Sequence, residues 1–141
     1  MAVNEIGVDC SPSEVFALFA DGWRYADWVV GAKRIRSVDP SWPAVGSRLH
    51  HTVGLGPLEV KDNTEVLEVE APHRLLLLAR FRPIGRARIK FELQPDDNGS
   101  CLLRMTEELL RAPEWVHTIV NPTIHARNAE ALRRLRVLLE G

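Results

Sequence analysis

Cysteine is scarce in this 141-residue chain, and the two present, Cys10 and Cys101, form neither a metal-ligand spacing nor a redox motif. No apolar run approaches the roughly 18 residues that a membrane span needs, so none is expected. A surplus of one charge is missing too. Lys and Arg total 18 against 19 for Asp and Glu, a net charge of -1 that leaves no electrostatic footprint for nucleic acid. Met1 to Glu5 lack the basic and hydrophobic regions of a signal peptide, which makes the cytoplasm the expected location. No phosphate-cradling glycine loop, Ser-His-Asp signature, internal repeat or low-complexity linker occurs. His50 and His51 are neighbours on a predicted strand and point to opposite faces, so neither a metal site nor a cofactor is expected. What remains is the composition of an ordinary globule, 45% apolar and 26% charged, of a size that predicts one domain over residues 1–141.

The chain opens with a half-buried strand, in which Ile6, Val8 and Cys10 alternate with Glu5, Gly7 and Asp9. Ser11-Pro12-Ser13-Glu14 then supplies a hydroxyl cap, a first-turn proline and a glutamate three residues on. The helix it starts carries Val15, Phe16, Leu18 and Phe19 and stops before Asp21-Gly22. A second short helix, Trp23 to about Val29, gathers Trp23, Tyr25 and Trp28, as core or as the rim of a pocket.

From Arg34 to Leu110 the pattern is strands and turns. Strands are expected over 35–38, 47–54, 58–70, 74–82, 86–93 and 100–110. The third of these changes phase, and a bulge near Val66 accounts for the slip. Turns are expected at Gly54–Pro57, Ala71–His73, Pro83–Gly85 and Asp97–Gly99. Such alternation predicts an antiparallel sheet with one wet face and one covered face.

The cover is the last helix. Asn121 and Pro122 read as its cap and first position, and Gly141 as its end. The stretch between is about 19 residues, roughly 28 Å of helix. Ile124, Ala131, Leu132, Leu135, Leu138 and Leu139 share a broad face, with Asn128 in its middle and His125 at its edge.

Strand, helix pair, six strands and long helix, with the stretches Ser11 to Asp21, Arg24 to Trp28 and Arg127 to Leu135, resemble the helix-grip fold. This is the START-like superfamily (SRPBCC), shared by START domains, birch-pollen allergens and bacterial polyketide cyclase/dehydrase-like proteins. The resemblance implies an α+β fold: a curved seven-stranded antiparallel sheet around a long C-terminal helix, with two short helices after the first strand. It also implies a cavity for lipids, polyketides or other apolar molecules, and it places the first strand beside the last. Cys10 and Cys101 are then near neighbours, expected as reduced thiols.

If these phases hold, Tyr25, His51, Glu107, His125 and Asn128 point inward. A buried Glu107 must be paired, hydrogen-bonded or protonated, with its pKa tending upward; the alternative is that it lies in water where the strand leaves the sheet. Glu107, His51 and Tyr25 are the candidate acid–base groups for a cyclisation or dehydration. Trp28, Leu49, Val53, Leu77, Phe91, Leu103, Met105, Ile124, His125 and Asn128 are the expected ligand-binding lining. Arg80, Arg82, Arg86, Arg88, Lys90 and Arg104 belong to the wet face, paired with Glu65, Glu68 or Glu92.

Three functional readings follow. The first is binding of a small hydrophobic molecule by a monomer or homodimer. The second is a polyketide cyclase/dehydratase-type enzyme. The third is a protein partner docking on a rim around Trp42 and Trp115.

Overall fold

In a computed structural model the protein is described over residues 1–55, 57–83 and 85–141. The expected turns at Gly54–Pro57 and Pro83–Gly85 include Gly56 and Ile84, which lie outside the described residues. Strands β1 (Ala2–Val8), β2 (Ala32–Val38), β3 (Arg48–Leu55), β4 (Leu58–Glu70), β5 (Arg74–Phe81), β6 (Gly85–Pro95) and β7 (Cys101–Leu109) form one antiparallel sheet. Its order is β1-β7-β6-β5-β4-β3-β2, which brings the first strand against the last. Helix α1 (Pro12–Ala20), a 3-10 turn at Gly22–Arg24 and the one-turn helix α2 (Tyr25–Trp28) follow β1, and helix α3 (Glu114–Glu140) closes the chain. This is the helix-grip architecture.

Local chemistry explains the entry to α1. Ser11 Oγ accepts from the Glu14 amide at 3.3 Å while the Glu14 carboxylate accepts from the Ser11 amide at 3.5 Å, a reciprocal cap ahead of Pro12. The helix buries Val15, Phe16, Leu18 and Phe19. Phe19 and Trp28 meet Phe91 of the sheet with ring centroids 4.8 and 5.8 Å away. Leu49, Val66, Leu75, Leu77, Leu103, Leu132 and Leu135 complete this solid core.

The phase slip in β4 is a bulge. Its register against β5 shifts between Val66 and Glu68, so Leu67 is the extra residue. The outer face is less wet than alternation suggests, because Leu76 and Leu78 are buried there. Lys90 and Arg88 stand directly opposite them, and the aliphatic stems of such residues cover apolar surface.

Helix α3 corrects the expected start at Asn121. It begins at Glu114 after Pro113, runs 27 residues and carries Pro122 inside. An interior proline forfeits the bond to the carbonyl four residues back, here that of Thr118. Both Pro122 and Thr118 are exposed, on a side of the helix where solvent rather than a buried partner can serve a freed carbonyl, and the helix continues. Asn128, Ala131, Leu132 and Leu135 are its buried residues, at the i, i+3, i+4, i+7 spacing of one face.

Two further expectations change. Trp42 is buried and donates its indole N–H to the Phe19 carbonyl at 3.0 Å, so it forms no exposed rim, whereas Trp115 is exposed. Cys10 lies just past β1 rather than ending it, since the last β1 pair is Val8 with Cys101. Both cysteines are free, buried in the same core cluster, and Cys10 is close enough to help raise the pKa of Cys101.

Candidate functional site

The concave face of the sheet is filled at one end and hollow at the other, and side-chain size decides which. Along β5 and β6 the inward pairs Leu75–Phe91 and Leu77–Ile89 are bulky, but the next pair is Ala79 with Ala87. Ala131 of α3 borders the same space, as do Gly31 and Ala32 at the start of β2. Small side chains facing one another leave volume that a close-packed interior would otherwise fill. The result is a half-open chamber of about 90 Å³ between sheet and α3, walled by Val53, Ala79, Phe81, Ala87, Ile89, Phe91, Met105 and Ala131. Its enclosed volume is well below the roughly 300–1,000 Å³ of drug-sized sites.

Polar groups cluster on this chamber: Tyr25, His51, Thr64, Glu107, Arg127 and Asn128 all line it. Glu107 sits on β7 between Ala2 of β1 and Ile89 of β6, and is only 5% exposed. Its charge is answered from α3. Arg127 Nη2 donates to both carboxylate oxygens, at 2.9 and 2.7 Å, and Asn128 Nδ2 donates to Oε1 at 3.1 Å. Asn128, the amide in the middle of the apolar helix face, is therefore explained by the acid it serves.

His51 is buried, with Nε2 2.9 Å from Thr64 Oγ1. Nδ1 has no partner among the described residues. Burial outweighs the attraction of Asp62 and lowers the imidazole pKa below its ordinary 6.5, so the ring is neutral at pH 7. Which nitrogen carries the proton follows from the hydrogen bonds made and is not fixed by the heavy atoms. The Tyr25 phenol has its pKa pushed up, first by burial and then by the Glu107 carboxylate, and so stays protonated. The chamber thus holds an imidazole able to accept a proton, a phenol able to donate a hydrogen bond and a carboxylate tied to a guanidinium.

Of the residues singled out from sequence, Tyr25, His51, Val53, Phe91, Met105, Glu107 and Asn128 meet at this chamber. The other expected lining residues do not. Trp28, Leu49, Leu77 and Leu103 are fully buried in the solid core, where α1 and α2 fill the concave face. Ile124 is half-buried one turn before Asn128 and outside the lining. His125 is exposed, and its part is played by the backbone: its carbonyl accepts from Asn4 Nδ2 at 3.0 Å, tying α3 to β1. Sequence reasoning missed Arg127, Thr64 and the aligned alanines. The signal for Arg127 was its place beside Asn128, given that a buried Glu107 needs a cation. The signal for the alanines was small residues at matching inward positions of successive strands.

Among the described residues, no three His, Cys, Asp or Glu side chains cluster as metal ligands would, and no helix is long and apolar enough to cross a membrane.

The fold is that of several solved bacterial proteins. Protein CV1439 of Chromobacterium violaceum superposes with a TM-score of 0.72 at 18% identity, over 100% of this chain and 99% of that one. A protein of Arthrobacter aurescens gives 0.75 at 15% identity, over 98% and 84%. DynU16, from the dynemicin biosynthetic locus, gives 0.68 at 18% identity, over 99% of this chain and 46% of that one. No curated protein matches the sequence. The family described as polyketide cyclase / dehydrase and lipid transport matches residues 2–140, and the chain belongs to that family.

Proposed function

We propose that the protein binds a small apolar molecule, lipid- or polyketide-like, with part of that molecule inserted between the sheet and α3. The observation that carries this reading is the alignment of Ala79, Ala87 and Ala131 around an open space beside an otherwise solid core. A protein with no use for that space gains stability by filling it, at about 0.8 kcal/mol per buried methylene. Family membership and a structural relative from a biosynthetic locus support the same class of ligand. Native mass spectrometry of the purified protein tests the reading. A co-purified or added apolar compound should be retained by the wild type and released by Ala131→Leu. Absence of retention across a panel of apolar compounds would overturn it.

A second reading, a cyclase or dehydratase, is favoured by one observation: His51, Tyr25 and Glu107 border a single chamber. Neutral His51 would take a proton from a carbon next to a carbonyl, and the Tyr25 hydroxyl would hold the enolate oxygen that forms. Glu107, held by Arg127, would help keep the Tyr25 phenol protonated through its charge rather than move a proton itself. Turnover of a polyketide-like substrate that survives His51→Gln would remove this reading and leave binding intact.

A further inference from the structure

The outer face of the sheet, away from the chamber, carries a cleft of its own where β5 ends, β6 begins and β7 leaves the sheet. It has a volume of about 500 Å³ and is bordered by Arg80, Arg82, Arg86, Arg111, Pro83 and Leu110. Arg80 and Arg86 stand directly opposite each other in the β5–β6 ladder, one rung beyond the inward pair Ala79–Ala87, which points them outward. The Leu110 amide donates to the Arg86 carbonyl at 3.0 Å and so holds Arg111 at the same corner. No carboxylate is among the described residues that border the cleft.

Two of the four guanidiniums are answered. Arg80 donates to Asn63 and Glu65 at 2.6 and 2.9 Å, and Arg82 is held by Asp62 at 2.8 Å. The other two are free: among the described residues, neither the Arg86 nor the Arg111 side chain makes a hydrogen bond or ion pair. Glu108, on the same face, lies opposite Arg88 rather than Arg86 and is in no ion pair among the described residues. Folding gains nothing from this arrangement. Like charges directly opposite each other destabilise a sheet. Arg86 is also half-buried, where an unpaired charge loses part of its hydration. Arg111 has a left-handed backbone, φ 57°, at a turn that glycine or asparagine makes more easily, so the turn does not call for an arginine.

Charge and volume together define what fits. Two free guanidinium forks match a dianion. A phosphate monoester carries about -1.5 to -2 at pH 7 and offers three acceptor oxygens, more on both counts than a carboxylate. A bare phosphate fills only a small part of about 500 Å³, and Leu110 and Pro83 add an apolar wall for a carbon body. We propose that this cleft binds an organic phosphate monoester, with the phosphate between Arg86 and Arg111 and the carbon body against Leu110 and Pro83. The site is independent of the binding reading above, because the chamber lies on the other face of the sheet.

Calorimetric titration of phenyl phosphate, phenyl sulfate and inorganic phosphate tests it, at constant ionic strength and about pH 7.5, where the monoester is a dianion. Phenyl phosphate should bind about tenfold more tightly than phenyl sulfate, a monoanion of the same shape, as one charge-assisted contact provides. It should also outbind inorganic phosphate, which has no body for the apolar wall. The Arg86→Gln/Arg111→Gln variant should lose the preference for phosphate over sulfate and, with the facing charges relieved, melt no lower than the wild type. Ala131→Leu, which fills the chamber, should bind phenyl phosphate as the wild type does. Phosphatidylcholine vesicles containing phosphatidic acid separate the two sources of such a group. Co-sedimentation that the double variant loses assigns the site to a lipid headgroup, and phenyl phosphate binding without co-sedimentation assigns it to a soluble ester. Equal binding of phenyl phosphate and phenyl sulfate overturns the proposal, as does a preference that survives in the double variant. Inorganic phosphate binding as tightly as the ester marks a free-anion site and overturns it too. A double variant melting well below the wild type would show that the arginines serve stability instead. Loss of phenyl phosphate binding in Ala131→Leu would place the ligand in the chamber, overturning this proposal and leaving the binding reading intact.

Discussion

Arg127 reaches both carboxylate oxygens of Glu107 with a single nitrogen, at 2.9 and 2.7 Å, and so couples the long helix to the last strand across the floor of the chamber. The pair is asymmetric. Glu107 is 5% exposed in its side chain, whereas Arg127 is 40% exposed and keeps one flank in water.

That asymmetry predicts unequal mutational costs. Arg127→Met strands a buried carboxylate with only Asn128 to serve it, whereas Glu107→Gln removes the charge and keeps a hydrogen-bonding side chain. Partial exposure of Arg127 puts the first cost at about 2 kcal/mol, below the roughly 3–5 kcal/mol of breaking a fully buried pair. The second should be about 1 kcal/mol. Urea unfolding of both variants and their double mutant checks this. Equal costs, or a larger one for Glu107→Gln, would contradict the buried-charge account.

Burial of neutral His51 ties stability to pH. Its folded-state pKa lies below the ordinary 6.5, so the unfolded chain binds the extra proton first. The contribution is fully present above pH 6.5 and is lost as the pH falls through the folded-state pKa. Between about pH 7.5 and about pH 5.5 the melting temperature should drop, and His51→Gln should flatten that dependence. An unchanged slope in the variant would show that His51 is not the titrating group.

The fold was legible where the determining interaction is short in sequence or repeats along it. The Ser11–Glu14 cap, the slip near Val66 and the adjacency of the cysteine-bearing ends of β1 and β7 all reappear in the structure. The chamber was only partly legible. Whether Leu77 or Ala79 faces empty space depends on where α1 and α2 stop covering the sheet, and no local pattern carries that distance. The partner of Glu107 depends on the rotation of α3 about its axis, which is fixed by Leu132 and Leu135 packing far from Arg127. The Asn121-Pro122 signal misled because a cap motif is read locally, while solvent exposure of Pro122 decides whether the helix tolerates it.

That tolerance has a measurable cost. Pro122→Ala restores an amide to bond the Thr118 carbonyl and should raise stability by about 1–3 kcal/mol, with binding unchanged. A destabilised variant would mean that the proline ring makes a contact of its own that matters.

The thiols provide a further test. Cys10 and Cys101 are 4% and 1% exposed, and burial raises the pKa of both. A thiolate reagent should modify neither in the native state and both after unfolding, with the intact mass showing two free thiols. Rapid modification of the native protein would contradict the packing at the β1–β7 end.

The most direct test of the account is calorimetric titration of a neutral medium-chain alcohol into the wild type and into Ala131→Leu. The leucine adds three carbons to a chamber of about 90 Å³, and both proteins should melt within a few degrees of each other. The account predicts saturable binding to the wild type and none to the variant. Equal binding to both, or none to either, would contradict it.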